Sequence, residues 1–482
     1  MAVELGPESC PGETVIPPDV VLDDGVTEDE AIAAALWNNA SYREMLAQLG
    51  ISNARLYDAG LLTDPQMTMF FPLGPKQLEF TIFFIVDAVW LRPIRERAAS
   101  LDLANVSQTM VQSGLNVIRD TRLAHADLLF AQDRAKLADE AVKLQKEIAN
   151  LASKRFKAGD IAKLELTTAE VESLRAQADA ARFAQDVTLA KNRLRTLMGL
   201  TLQDVPLSAV DGRPTDLTER QSDDLVNEAL AFRPDLRAAE INVQTACERT
   251  TLAQGQFMNF DLVYDANSRG RRGFESGPGL RMTLPILNAN RGNIAIASEQ
   301  VRQANRQMIT VRDQITLDVR TAYVQMRQAS ENLKAVREKM LPKLKTAVEL
   351  ARRNYQAGGA TYFLVLQTTR QYLDLRVREL ELELALRRAN AELERSVGHR
   401  LNSGDDTSNK RDEGPKPVVV AAPRSKRQPS KPLKVYPSRL QHASANTQPT
   451  ERRNRNALFT LDVRIDPDYL PGWLRKTVIK KP

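Results

Sequence analysis

The spacing of apolar residues changes character along the chain, and it does so twice in the same order. After Thr27-Glu28-Asp29-Glu30, the residues Ile32, Ala35, Leu36, Ala40, Met45, Leu46 and Leu49 recur at helical intervals. The opening tetrad predicts a capping box, in which the Thr hydroxyl accepts from the third helical N–H and the Glu reaches back. One helix over 31–61 is predicted, stopped by Asp64-Pro65. Leu78, Phe80, Ile82, Phe84 and Val86 then alternate with Glu79, Thr81, Phe83 and Ile85, which is a strand period of β-branched and aromatic residues. A shorter run, Met67–Phe71, precedes it across Pro72-Leu73-Gly74-Pro75, so the stretch 66–90 reads as a hairpin.

Pro93 reads as a first-turn proline. From there to Lys157 the chain has no further proline and a single glycine, Gly114. A helix of about 64 residues would be on the order of 95 Å long, too long for a compact globule, so a coiled-coil-like rod with neighbours on its flanks is expected. A return helix over 162–198 ends at Gly199, and a polar linker follows to Asp223.

The second half repeats the order. A helix is predicted from Asp224 to Gln254. Alternating runs around Phe260, Leu262, Tyr264 and around Leu280, Met282, Leu284 give a hairpin over 259–287. The loop between them carries Arg269, Arg271 and Arg272. A second rod covers 290–356, with a kink expected at Pro342, and its return leg runs from Thr361 to Val397 with Glu379, Glu383 and Arg387 on one face.

The two rods end alike. Lys154-Arg155-Phe156-Lys157-Ala158-Gly159-Asp160 and Arg353-Asn354-Tyr355-Gln356-Ala357-Gly358-Gly359 lie 199 positions apart. Each is a basic and aromatic helix end, then Ala-Gly, then a second helix. Gly159 and Gly358 are expected as left-handed caps. The plan is therefore mainly α with a small β part: two duplicated long helical hairpins and two β-hairpins. It divides into an irregular segment 1–26, a first repeat 27–222 turning at 157–161, a second repeat 223–401 turning at 357–361, and a basic tail 402–482 that reads as disordered.

Composition sharpens this picture in places. Apolar residues make up 43% and charged residues 27%, with only 5% aromatic, a balance that leans towards long helices. The net charge of +6 belongs to the tail: residues 401–482 hold 17 Lys+Arg against 8 Asp+Glu. The basicity gives no reason to expect nucleic-acid binding by the body. The tail is a solvated segment or, as a sharper alternative, one drawn to an acidic polymer such as cell wall; within it Ala457–Val478 is apolar enough for a short docking segment. Cys10 and Cys247 form no metal spacing or disulfide framework, and His125 reads as a packed or surface histidine. There is no nucleophile–base pair, phosphate loop or zinc spacing, so no enzyme, cofactor or metal site is expected. No apolar run reaches the length of a transmembrane helix.

Two isolated hairpins are marginal, and their edges need further strands. A closed barrel is one of the two forms that cross a membrane. The chain resembles the outer-membrane efflux protein family (TolC-like) over about 27–401. The resemblance rests on Glu30-Ala31-Ile32-Ala33-Ala34-Ala35-Leu36-Trp37-Asn38-Asn39, on Leu284-Pro285-Ile286-Leu287-Asn288-Ala289-Asn290-Arg291-Gly292, and on the two Ala-Gly turns with their preceding aromatics. It implies a homotrimer with a helical tunnel and a 12-stranded transmembrane barrel in outer-membrane lipid, extending into the periplasm. It also implies a periplasmic adaptor and an inner-membrane transporter as partners of an efflux or secretion channel.

By the same resemblance Phe156, Gly159, Tyr355 and Gly358 would form the inner tip and meet the adaptor, and Glu165, Tyr355 and Gln367 would line a constriction. Ala360 stands where some members carry an Arg, and Leu364 and Gln367 where some carry acids, so an Arg–Asp latch is not expected. Plainer roles compete: glycines as simple caps, Phe156 and Tyr355 as packing between rods, the arginine loop as a solvated turn rather than a sugar-binding one, and the Leu78–Val86 stripe as a soluble sandwich. Met1–Leu5 is not a secretory signal as written, although the family requires export; a start codon placed too late would reconcile the two. A soluble coiled-coil scaffold, in which the apparent strands pack as coil, is the competing expectation.

Overall fold

The computed structural model describes residues 16–17, 20, 25–71, 73, 78–201, 207–210, 220–268 and 273–401. Cys10, the turn at 72–75 save Leu73, the arginine loop at 269–272 and the tail beyond Leu401 lie outside the described residues.

Thr27 opens α1 (Glu28–Asn38) through the predicted capping box: its N–H donates to Glu30 Oε2 at 2.9 Å and its hydroxyl accepts from Glu30 N at 3.4 Å. The single helix expected over 31–61 is in fact two. Asn39 takes an extended conformation (φ −61°, ψ 121°), and its Oδ1 accepts from the N–H groups of Ser41 and Tyr42, starting α2 (Ala40–Ala59). A short amide side chain can replace the backbone partner of a helix start, and that outweighs the unbroken apolar spacing.

Strands β1 (Gln66–Phe70) and β2 (Glu79–Ile85) follow, and α3 (Asp87–Lys157) begins directly after them. The hairpin thus ends before residue 90, and Pro93 lies inside α3 rather than in its first turn. The residues ahead of it are held helical by packing: Leu91 is buried, and Trp90 sits edge-on to Phe260 at 5.5 Å between ring centroids. The 71 residues of α3 span about 107 Å.

The return helix α4 (Lys163–Leu197) lies against α3. Next come α5 (Ser222–Phe232) and α6 (Pro234–Gly255), again two helices where one was expected. Here the break carries its own sequence signal, because Pro234 excludes Arg233 from the helical region.

The remaining elements are β3 (Phe260–Ser268), β4 (Phe274–Met282), α7 (Arg291–Ala335), a π-helical turn Val336–Met340, α8 (Leu341–Gln356) and α9 (Tyr362–Val397). The second rod is interrupted where Pro342 requires it: the wider π turn precedes a proline that has no N–H to donate. Arg337 in that turn pairs with Glu379 at 2.9 Å and Glu383 at 2.8 Å, and Glu383 also meets Arg387 at 3.3 Å.

The four strands form one antiparallel sheet in the order β1-β2-β3-β4. The hairpins join through β2 and β3, with Ile82 opposite Tyr264 and Phe84 opposite Leu262. The strands pair as a sheet and not as coil, which removes the premise of the soluble scaffold. Register separates the two faces. Met67, Met69, Phe80, Ile82, Phe84, Leu262, Tyr264, Leu280 and Met282 share one face, and Gln66, Thr68, Glu79, Thr81, Asp261, Asp265, Asn267 and Arg281 share the other with Phe70, Phe83, Ile85 and Val263 among them. The outer edges of β1 and β4 have no strand beside them among the described residues. No helix among those residues is long and apolar enough to cross a membrane.

Of the hydrophobic clusters that hold the helices together, three are largest. One joins Val26, Ala31 and Ala34 to Ala124, Leu128, Leu194 and Met198. Its counterpart joins Leu225, Val226 and Ala229 to Ile315, Val319, Met326, Leu393 and Val397. The third lies at the far end of the hairpins and is described next. His125 is packed beside the first cluster, with Nε2 2.9 Å from the Val26 carbonyl.

Candidate functional site

The two hairpin turns have the same backbone. Gly159 (φ 82°) and Gly358 (φ 78°) are left-handed. In the first, Gly159 N donates to Phe156 O at 3.0 Å and Asp160 N to Arg155 O at 2.9 Å; in the second, Gly358 N donates to Tyr355 O at 3.2 Å and Gly359 N to Asn354 O at 2.8 Å. This Schellman pattern satisfies the last carbonyls of each rod and turns the chain sharply into α4 and α9.

The side chains above the turns are not equivalent. Tyr355 is 1% exposed and sits in the third cluster with Ile148, Ala152, Ala169, Ala351, Tyr362, Val365 and Leu366. Phe156, its partner in the repeat, is 38% exposed. In the first copy the basic residue does the inward work: the Arg155 guanidinium lies 4.6 Å from the centre of the Tyr355 ring, its Nη1 donates to the Tyr355 carbonyl at 3.3 Å, and its Nε is 4.0 Å from Asp160. A cation over an aromatic face and a bond to the same residue's carbonyl join the ends of α3 and α8.

Polar clasps surround this cluster. Glu147 on α3 meets Arg352 on α8 at 2.6 Å, and Glu172 on α4 meets Arg370 on α9 at 2.5 Å and Arg175 at 3.0 Å. Glu172 is largely buried and held by two arginines, whereas the first clasp is exposed and worth about 0–1 kcal/mol. The buried hydroxyl of Tyr362 in the cluster and that of Thr369 on the same helix have no hydrogen-bond partner among the described residues, and the Tyr355 hydroxyl is engaged only by the nearby Arg155 side chain. Burial raises the Tyr355 phenol pKa, and the Arg155 charge opposes that rise. Burial, followed by the charge of Glu172, raises the Tyr362 pKa to about 12. Both tyrosines are neutral at physiological pH.

Of the residues expected at the tip, Tyr355 lies in the buried cluster, Gly159 and Gly358 each turn their own hairpin, and Phe156 is exposed. Glu165 is half-buried one turn into α4 and close enough to Tyr355 and Tyr362 for its charge to act on both. Gln367 is exposed on α9, off the face that carries Tyr362, Val365, Leu366 and Thr369. Arg155, Tyr362, Glu172 and Arg370 were not expected. The spacing Tyr362–Val365–Leu366–Thr369 carries a readable helical stripe, but a contact between residues 200 positions apart, such as Arg155 and Tyr355, leaves no local signal.

At the other end, the polar face of the sheet is internally bonded. Arg281 Nε donates to Asp261 at 2.7 Å and its guanidinium lies 4.2 Å from the centre of the Phe83 ring. Asp265 accepts from Thr81 and Asn267, each at 2.7 Å. Met67, Leu262 and Leu280 on the opposite face are about half exposed or more. An apolar face backed by a mainly polar one is the pattern that a membrane barrel wall requires. Among the described residues, no group of His, Cys, Asp and Glu is placed to hold a metal ion.

The outer membrane efflux protein family model matches residues 95–200 and 225–399. The cobalt-zinc-cadmium resistance protein CzcC of Cupriavidus metallidurans is 24% identical over 299 residues, covering 59% of this chain and 69% of that protein. The pyoverdine export outer membrane protein OpmQ of Pseudomonas putida is 22% identical over 320 residues, covering 64% and 67%. The fold is similar to that of CusC (TM-score 0.67, 17% identity, 77% of this chain and 92% of that one) and of the outer membrane protein VceC from Vibrio cholerae (TM-score 0.64, 17% identity, 77% and 96%). With an amphipathic sheet at one end and twin left-handed turns at the other, the chain belongs to the outer membrane efflux protein family and has the architecture of an outer-membrane efflux channel reaching into the periplasm.

Proposed function

We propose that three copies of the chain close their sheets into a twelve-stranded barrel and their helical hairpins into one tunnel. Residues 27–222 and 223–401 act in it as two repeats. The assembly is a passive exit duct, completed by a periplasmic adaptor and driven by an inner-membrane pump. The observation that supports this most is the sheet: one apolar face, one polar face, and two edges, β1 and β4, with no strand beside them. Single-channel recording of the purified full chain in planar bilayers tests it. Discrete conductance steps are expected; a stable trimer that never conducts, even with its adaptor, would refute the duct.

The twin turns at Gly159 and Gly358 are the surface offered to the adaptor, with the exposed Phe156 beside the first. Tyr355, with Glu165 near it and Gln367 facing outward, marks the narrow end of the passage. The closed form is held by packing and by the Arg155–Tyr355 contact rather than by an Arg–Asp latch. The duct performs no chemistry. Two relatives, CzcC at 24% and OpmQ at 22% identity, are named for metal resistance and for pyoverdine export. We therefore assign the choice of cargo to the pump and not to this wall.

A further inference from the structure

Where the sheet meets α3, the apolar face is not flat. Val86, Trp90, Phe260, Leu262 and Leu280 line a groove of about 500 Å³ without a polar side chain among them. The groove continues the face that carries Phe84, Leu262 and Leu280, so its floor belongs to the surface that faces lipid in the barrel. It lies at the sheet's helical end, where that surface gives way to charged helix.

We propose that this groove is a fixed phospholipid site, holding the upper part of one acyl chain; the proposal rests on the barrel reading above. Three observations select a lipid over a protein partner. The lining is wholly apolar and open along its length, as a flexible hydrocarbon chain requires. Trp90 forms one wall and is 44% exposed, and its indole N–H has no protein acceptor among the described residues. An indole at a barrel rim places its ring against hydrocarbon and its N–H towards the ester layer. Seven residues further along the same helix face, Arg97 is 63% exposed and pairs only loosely with Glu248, at 3.4 Å. That places a cation beyond the groove mouth, where a phosphate would lie.

The sequence holds three tryptophans, so the full chain with Trp37→Phe and Trp473→Phe reports on Trp90 alone. In vesicles of phosphatidylcholine brominated along its acyl chains, Trp90 emission is expected to fall by more than half. In mixed micelles with limiting brominated lipid, quenching is expected to saturate at one lipid per chain. Val86→Phe, which fills the groove, is expected to remove the saturable part and leave bilayer quenching in place. Quenching that rises without saturation would reduce the site to ordinary lipid contact and overturn the proposal. No quenching in vesicles would mean that a second copy of the chain covers the groove, which also overturns it. Conductance of the same protein separates the two readings: a conducting channel without saturable quenching sinks the lipid site alone, and loss of both sinks the barrel.

Discussion

The side-chain amide of Asn39 donates to the carbonyl of Leu197 at 3.1 Å, tying the break between α1 and α2 to the last residue of α4. The second repeat makes the same tie with different chemistry. Arg233, at the break between α5 and α6, donates to the carbonyl of Ser396 at 3.4 Å and pairs with Asp235 at 2.5 Å and Asp318 at 3.2 Å. Asn39→Ala removes a helix cap and a cross-helix bond, and is expected to cost about 1–2 kcal/mol. Arg233→Ala leaves acidic partners beside a buried gap and is expected to cost about 3–5 kcal/mol. Thermal unfolding of the two variants in one detergent checks the order.

Left-handed glycines are not equally replaceable. At Gly358 a methyl group would meet nothing within 4 Å, so Gly358→Ala carries only the backbone term of about 1–2 kcal/mol. At Gly199 (φ 69°) the same methyl would lie 2.5 Å from the Asn38 carbonyl oxygen. Gly199→Ala is expected to be clearly the more destabilising of the two in the same thermal assay. Equal melting temperatures would mean that the α1–α2 break yields easily.

At the tip, volume and hydroxyl can be separated. Tyr355→Phe keeps the ring under Arg155 and removes a buried hydroxyl that makes no well-formed hydrogen bond, so it is expected to change stability by less than about 1 kcal/mol. Tyr355→Ala leaves a cavity worth about 3–5 kcal/mol and removes the ring under Arg155. Single-channel recording is expected to show wild-type-like closure for the first and longer open times for the second. Unchanged gating in Tyr355→Ala would place closure elsewhere.

Alkaline pH acts on the same cluster with a definite sign. Tyr362 ionises near 10 when unfolded and near 12 when folded. Between those values the unfolded chain has lost the proton that the folded chain keeps, so stability falls as pH rises through that window. The melting temperature is expected to fall as pH rises above about 10. Tyr362→Phe is expected to blunt that change.

The two sheet faces should respond oppositely to charge. Ile82→Arg, midway along β2 on the apolar face, is expected to cost about 2–4 kcal/mol in a bilayer. Thr81→Lys, on the polar face and beside Asp265, is expected to be tolerated and to shift ion preference towards anions. Folded yield in vesicles and reversal potential measure the two effects.

Much of this architecture was legible in the sequence because it is locally encoded. The alternation from Leu78 to Val86, the proline-free stretch after Pro93, and the Ala-Gly pairs each act within a few residues. The break at Asn39 was masked by the unbroken apolar spacing around it, although its cap is local: Oδ1 accepts from the Ser41 and Tyr42 N–H groups, and the distant Leu197 carbonyl adds a bond to the amide. The start of α3 was displaced because contacts of Trp90 and Leu91 hold helical turns ahead of Pro93. Tyr355 was visible through the repeat, whereas Arg155 was not, since its counterpart is Asn354 and its role depends on how the two rods lie together.

The clasps along the rods give their lengths a meaning. Asp127 on α3 meets Arg388 on α9 at 2.5 Å, and farther on Glu147 meets Arg352 and Arg155 meets Tyr355. One residue inserted into α3 between Asp127 and Glu147 would advance every later contact by about 1.5 Å and turn it by about 100°, so all the tip clasps would fail together. Only changes near whole turns, about seven residues made in all four legs, would keep the faces matched. The distance from sheet to tip is thus a count carried by α3 and by α7 with α8, matched over its far half by α4 and α9, and adjustable only in steps of about 10 Å.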